Sequence, residues 1–346
     1  MQSATLFPSK SRALRGVEKI SKATGTLLAP LAGMTRDARV VLFGEALIDE
    51  LPPDRAFPGG APFNVACHLR AFGVAPLLIS RLGEDPHGEM LCRAALRRGI
   101  DTRGMQTDSN HLTGKTVVRV AEDGSRFEIP PARAWDFIRA DEALRALRGE
   151  APDILYFGTL AQRGAVSRAA LCRLLGLEIK NHFLDLNLRP PWFDVETVER
   201  SLESADVVKA TADEFRIVAD LLGLPDPGPE DGVLERVDAL IQAFGIRSVV
   251  VTRGARGACL LTRSGDRTIV ARPPLDDLVD TVGAGDAFSA VLILGSLRGW
   301  PDTLSLVRAD DFARALCRVP GAIPQNDATY RPFREAWDLD EMRASA

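Results

Sequence analysis

The chain has 346 residues, 46% hydrophobic and 26% charged, enough to bury one large core with a small accessory domain. A formal charge of -4 leaves no basic stripe for nucleic acid, and nucleic-acid partners are not expected. Five widely spaced cysteines without a Cys-x-x-Cys pair argue against a disulfide framework or zinc site; a reducing cytoplasm is the expected setting.

The first 38 residues carry Lys10, Arg12, Arg15, Lys19 and Lys22 ahead of a mildly apolar run that Pro30 interrupts. Without a convincing cleavage pattern they are expected to be an extension outside the fold, with Met34 as an alternative start. A single domain is expected over 39–335, followed by a tail over 336–346. Strands are predicted at 40–43, 77–80, 154–157, 183–186, 207–209 and 248–252, and helices near 62–72, 88–98, 166–175, 196–203 and 232–244. This alternation predicts an α/β fold with a doubly wound, mostly parallel sheet. Residues 116–120 and 126–129 read as a hairpin, which is marginal alone and must pack with other strands. Pro225-Asp226-Pro227-Gly228-Pro229 reads as a loop. No stretch has the length of a membrane span, and 287–297 is predicted to be a buried core helix.

The chemistry concentrates in Asp280-Thr281-Val282-Gly283-Ala284-Gly285-Asp286-Ala287-Phe288. A polar turn precedes an apolar helical run, so the glycines fall at a helix N-terminus, where free N–H groups and the helix dipole favour an anion. Asp286 beside that hole suits a base that takes a proton from a hydroxyl attacking phosphate. Alone, Gly-x-Gly-Asp is equally a helix-start turn. Phe288 occupies the third-glycine place of a dinucleotide fingerprint, and Ser109 stands where a P-loop ending in Gly114-Lys115-Thr116 needs its first glycine. A nucleotide site here has another design.

This segment resembles the C-terminal signature of the ribokinase/PfkB-type carbohydrate kinases. Gly44-Glu45-Ala46-Leu47-Ile48-Asp49, Gly59-Gly60-Ala61-Pro62-Phe63-Asn64, Asp185-Leu186-Asn187-Leu188-Arg189-Pro190 and Lys209-Ala210-Thr211-Ala212-Asp213-Glu214 follow in the order that family requires, from about Val40 to Ala322. The resemblance implies a ribokinase-like fold with a β-lid near 47–57 and 112–130, a homodimer through that lid, a small sugar and ATP as partners, and Mg2+ and K+ as ions. It implies that Asp49, Gly59, Gly60, Asn64 and Asp286 bind the sugar, with Asp286 as base. Gly283, Ala284 and Gly285 would form the anion hole, and Arg189 would clamp the phosphoryl group. Lys209, Thr211, Glu214, Thr252, Arg253, Gly254 and Gly257, with Gly283 and Gly285, would hold the nucleotide. Glu214 would organise magnesium through water, and Asp280 would hold a monovalent cation.

Each residue also has a plainer reading. Asp49 and Asn64 serve equally as turn and cap residues, although an amide inside a helix is a poor filler. Arg189 could make a surface ion pair, Glu214 is an ordinary first-turn carboxylate, and Asp280 and 252–257 could be turns. Thr211 stands where the family commonly has asparagine. The segments 134–138, 157–163 and 187–192 resemble the fructokinase branch and imply ATP-dependent phosphorylation of fructose at a primary hydroxyl. Ribose, 2-keto-3-deoxygluconate, a nucleoside, a phosphorylated sugar, and a catalytically silent sugar-binding or scaffold role stay open.

Overall fold

The computed structural model describes residues 17–19, 39–51, 55–121, 124–149, 152–224 and 232–339. Among them the strands are β1 (Val17–Lys19), β2 (Val40–Phe43), β3 (Leu47–Leu51), β4 (Arg55–Gly59), β5 (Leu77–Gly83), β6 (Met105–Asp108), β7 (Gly114–Ala121), β8 (Gly124–Glu128), β9 (Ile154–Gly158), β10 (Asn181–Asp185), β11 (Val207–Thr211), β12 (Ser248–Thr252), β13 (Ala258–Thr262) and β14 (Arg267–Val270). The helices are α1 (Ala61–Ala71), α2 (Pro86–Arg97), α3 (Ala140–Ala146), α4 (Ala165–Leu175), α5 (Val195–Glu203), α6 (Ala212–Leu221), α7 (Gly232–Phe244), α8 (Ala284–Leu297), α9 (Asp302–Leu316) and α10 (Arg331–Ala336).

Ten strands make one sheet in the order β1-β14-β13-β12-β11-β10-β9-β2-β5-β6, and four make a second, β4-β3-β7-β8. From β12 to β6 the large sheet is parallel, and β13, β14 and β1 extend it antiparallel. Successive strand residues feed opposite faces: Val40 and Leu42 join one core and Val41 and Phe43 the other, as Ile154 and Tyr156 divide from Leu155 and Phe157. Because helices cover both faces, the strands are continuous apolar runs, which made them legible in the sequence. The apolar stretch of α8, Ala287–Gly295, is wholly buried, and α8 packs against α1 and α9; a helix in that position needs no polar face.

The small sheet combines the antiparallel β3–β4 pair, the β7–β8 hairpin, and a parallel β3–β7 pairing that joins them. Its root is pinned at Thr113, whose N–H donates to Asp85 Oδ2 at 2.7 Å and whose hydroxyl accepts from Gly83 N at 2.9 Å. Asp85 also caps α2 by accepting from Gly88 N at 2.8 Å, so one carboxylate ties the small sheet to a helix start.

Several boundaries differ from expectation. Val17–Lys19, within the segment expected outside the fold, pairs with Thr268–Val270 and covers the outer edge of β14, whose backbone groups need partners. Trp337 and Leu339, expected in a tail, are buried: the Trp337 ring lies 5.3 Å from Phe72 and 5.2 Å from Phe333. β10 ends at Asp185, one residue earlier than predicted, although Leu186 N still donates to Lys209 O at 3.0 Å. The expected loop at 225–229 and the tip of the hairpin at 122–123 lie outside the described residues. No helix among the described residues is long and apolar enough to cross a membrane.

Candidate active site

Helix α8 begins at Gly283, whose φ of 78° lies in the left-handed region. A Cβ at that position would stand 2.5 Å from both Cα and Cβ of Ala322, so the turn accepts only glycine without displacing its neighbour. Among the described residues the N–H groups of Gly285 and Asp286 have no backbone acceptor, as the first turn of a helix requires. They and the α8 dipole form a cradle for an anion.

Asn64 comes to this cradle from α1. Its Nδ2 donates to Asp286 Oδ2 at 2.8 Å, a contact between residues 222 positions apart in the chain. The start of α1 is fixed by Gly60, with φ of 100°; a Cβ there would stand 2.5 Å from the Glu45 carbonyl oxygen. Gly60 offers no side-chain cap, and the Glu45 carboxylate supplies one instead, accepting from Ala61 N at 3.3 Å. One turn beyond Asn64, His68 shares a 3.0 Å hydrogen bond with the Tyr330 hydroxyl, so the same face of α1 is held at two points.

Three carboxyl groups gather here, and burial raises the proton affinity of each. Asp286 is pushed up to about 6 by desolvation, opposed by its bond from Asn64, raised further by Asp185, and lowered again by Lys209 and Arg189. Glu45, 4% exposed, is pushed up to about 7 by the same desolvation. Asp49, on β3, is also raised by desolvation, against a hydrogen bond from Thr116, its partner across the β3–β7 pairing. The charge of Arg189 lowers the proton affinity of all three, although its guanidinium is exposed and Nη1 donates to Leu188 O at 3.0 Å. A Cβ on Gly59 would overlap the Asp49 carboxylate, which explains the first glycine of that pair. Glu45, Tyr156, Thr159 and Asn187 line a small recess beside α1.

The residues expected to hold nucleotide lie at the C-terminal ends of adjacent parallel strands. Thr211 and Thr252 are register partners at the ends of β11 and β12, the crevice where open α/β sheets place ligands. Thr211 and Glu214 form a capping box: Thr211 Oγ1 accepts from Glu214 N at 3.1 Å, and Glu214 Oε2 accepts from Thr211 N at 2.8 Å. Glu214 Oε1 accepts from Leu188 N at 2.8 Å, so both its oxygens already hold backbone and a contact to metal through water fits better than direct ligation. Among the described residues no group of three or more His, Cys, Asp or Glu converges as a metal site. Beyond β12, Arg253 N donates to Gly257 O at 2.7 Å, closing a tight loop whose glycines Gly254 and Gly257 have φ of 56° and 89°. Asp280 braces the turn before α8, its oxygens accepting from Val282 N at 3.0 Å and Gly321 N at 2.9 Å. Lys209 is 4% exposed and points to Asp185.

The sequence matches the model of the pfkB family carbohydrate kinases over residues 37–329. The chain belongs to that family. The kinase is 29% identical over 300 residues to a putative sugar kinase, PH1459, of Pyrococcus horikoshii, covering 81% of this chain and 89% of the relative. It is 29% identical over 273 residues to a fructokinase of Escherichia coli, covering 75% and 84%. A crystal structure of fructokinase from Vibrio cholerae O395, in fructose, ADP and calcium ion bound form, superposes with a TM-score of 0.71 at 25% identity, over 86% of this chain and 99% of that one.

The kinase thus brings Asp286, Asn64, Gly59, Gly60, Asp49 and Arg189 to one end of the sheet, with Thr211, Glu214, Thr252 and the 253–257 loop beside them. Sequence reading missed three members of the neighbourhood. Glu45, just beyond β2, and Asp185, at the end of β10, stood inside quoted motifs as charges following apolar runs, and Ser289 is one turn beyond Asp286 on the buried face of α8. Those oddities are the signal that could have found them.

Proposed function

We propose that this kinase transfers the γ-phosphoryl group of ATP to a primary hydroxyl of fructose. The observation that carries the reading is the 2.8 Å bond between Asn64 and Asp286, which joins the sugar-binding signature to the base at the anion cradle. Asp49, Asn64 and the backbone at Gly59 and Gly60 orient the sugar. The hydroxyl oxygen bonds to Pγ as the bond from Pγ to the bridging oxygen breaks; its proton passes to Asp286, and ADP leaves. The N–H groups of Gly285 and Asp286 and the Arg189 cation neutralise charge on the transferring group, while the Ala284 N–H, expected in the anion hole, instead donates to Thr281 O at 3.2 Å. Thr211, Thr252, Arg253, Gly254 and Gly257 flank the nucleotide. Mg2+ would be held through water by Glu214 and would screen the phosphate oxygens, and Asp280 is the residue proposed for K+. Fructose as acceptor is supported by the E. coli fructokinase relative and by the V. cholerae fructokinase structure with fructose.

The test compares kcat/KM for fructose, ribose, 2-keto-3-deoxygluconate and fructose 6-phosphate with ATP and magnesium under one set of conditions. Fructose is expected to lead, because the acidic Asp49 accepts hydrogen bonds from hydroxyls and repels phosphate. A lead for the phosphorylated sugar would overturn the fructose assignment, and no turnover of any sugar would favour a binding protein. Replacing Asp49 by alanine leaves partner hydroxyls unpaired and is expected to cost on the order of 1 to 3 kcal/mol in kcat/KM, chiefly through KM. The base must be ionised to act, so kcat/KM is expected to fall tenfold per pH unit below an apparent pKa of about 6. A profile flat from pH 7 to pH 5 would remove Asp286 from that role.

A further inference from the structure

We propose that the buried Asp185–Lys209 ion pair, joined to α8 through Ser289, is a positioning device that holds the Asp286 turn and balances the charge around it. Lys209 Nζ donates to Asp185 Oδ1 at 3.0 Å and Oδ2 at 3.2 Å. Asp185 Oδ2 also accepts from Ser289 Oγ at 2.7 Å and from the Tyr156 hydroxyl at 3.2 Å. Asp185 is 1% exposed, and its pair ties β9, β10 and β11 to the first turns of α8. A buried carboxylate satisfied by a cation and two hydroxyls is held in one geometry, and loss of either charge leaves the other uncompensated.

The second glycine of Gly283-Ala284-Gly285-Asp286 is an independent sign of this contact. Gly285 has ordinary helical backbone, yet a Cβ there would stand 3.0 Å from Lys209 Nζ. Glycine at this position lets the turn close onto an ammonium that Asp185 does not allow to retreat. Lys209 therefore lies behind the cradle, as a support for its first turn rather than a ligand of the nucleotide.

Every charged or titratable group that faces Asp286 has a defined direction. From α1, Asn64 donates to it; from β11, Lys209 lowers its proton affinity, as does Arg189 beyond β10; Asp185 on β10 raises it. Glu45, between β2 and β3, and Tyr156 on β9 are near enough for their own titrations to feel Asp286. Lys209 and Asp185 thus act on Asp286 with opposite sign, so removing either one alone moves its titration in a defined direction.

The proposal rests on Asp286 as the base, and direct titration separates the two claims. The full chain labelled at aspartate Cγ is titrated by NMR, with the Asp286 signal identified by its loss in Asp286→Asn. Lys209→Met is expected to raise the proton affinity of Asp286 about tenfold, Asp185→Asn to lower it by a similar factor, and the double variant to return it close to the parent. The acidic limb of kcat/KM should move in the same directions. Unmoved signals, or shifts in one direction for both single variants, overturn the proposal. If Lys209→Met does not fold, the isosteric Asp185→Asn decides alone, a downward shift supporting the proposal and no shift or an upward one overturning it. Ser289→Ala keeps both charges and is expected to lower kcat several-fold with the Asp286 titration unmoved; an unchanged kcat overturns the positioning role. Moved titrations with an acidic limb that survives in Asp286→Asn would instead reject Asp286 as the base.

Discussion

Asp286→Asn is expected to lower kcat by about 10²- to 10⁴-fold while sugar affinity stays near that of the parent, because the amide keeps a hydrogen bond with Asn64 but accepts no proton. Near-parental turnover would assign the base elsewhere. Stability carries a second signature. The folded carboxyl titrates at about 6 against 3.8 for the free group, so its contribution to folding is fully present below 3.8 and is lost as pH rises through 6. Asparagine has no ionisation to oppose, so the variant is expected to melt at a higher temperature than the parent at pH 8. The difference, on the order of 2 to 3 kcal/mol at most, should shrink toward zero below pH 4. An equal or lower melting temperature at pH 8 would show that burial does not strain this carboxylate.

Gly283→Ala is expected to be as damaging through geometry alone. The alanine would keep a φ of 78°, which costs roughly 1 to 2 kcal/mol, and would place its methyl carbon 2.5 Å from Ala322. Either the 321–322 segment or the first turn of α8 must move, and the N–H groups at Gly285 and Asp286 lose their aim. Loss of one well-aimed donor at a developing anion costs about 10²- to 10³-fold, so kcat/KM should fall at least a hundredfold, with a lower melting temperature. Parental kcat/KM would mean that phosphate is bound elsewhere. Gly285→Ala, with ordinary φ, should cost less and act through Lys209.

How far the sequence reveals this molecule depends on which forces act locally. β2 and β12 were legible to the residue because strands buried on both faces are short, unbroken apolar runs, and α7 because its apolar period and boundaries are local. β13 and β14 were not: Ala258–Thr262 follows a glycine-rich turn and Arg267–Val270 is four residues long, and both owe their strand form to the ladder begun by β12. At the site, Asn64 announced itself as an amide in a helix and Asp286 by its glycines, yet their contact is purely tertiary. Lys209 was legible as a charge near the nucleotide side but not as the partner of Asp185, since two charges at the ends of separate strands reveal no common destination. Trp337 lay beyond the last recognisable motif, and its packing against Phe72 and Phe333 shows that the core reaches that far.

The two-point attachment of α1 bears on which changes in chain length the protein tolerates. Asn64 and His68 are one turn apart and must meet Asp286 and Tyr330 together, while Gly60 fixes the helix at its origin. Inserting or deleting a single residue between Gly60 and Asn64 would turn the amide by about 100° around the helix axis and shift it about 1.5 Å along it, carrying both side chains off their partners at once. Because Ala61–Leu69 are all buried, a volume-conserving substitution there keeps that alignment, whereas a change of length does not. Helix α1 behaves as a ruler with a fixed zero, its length up to Asn64 set by contacts at both ends.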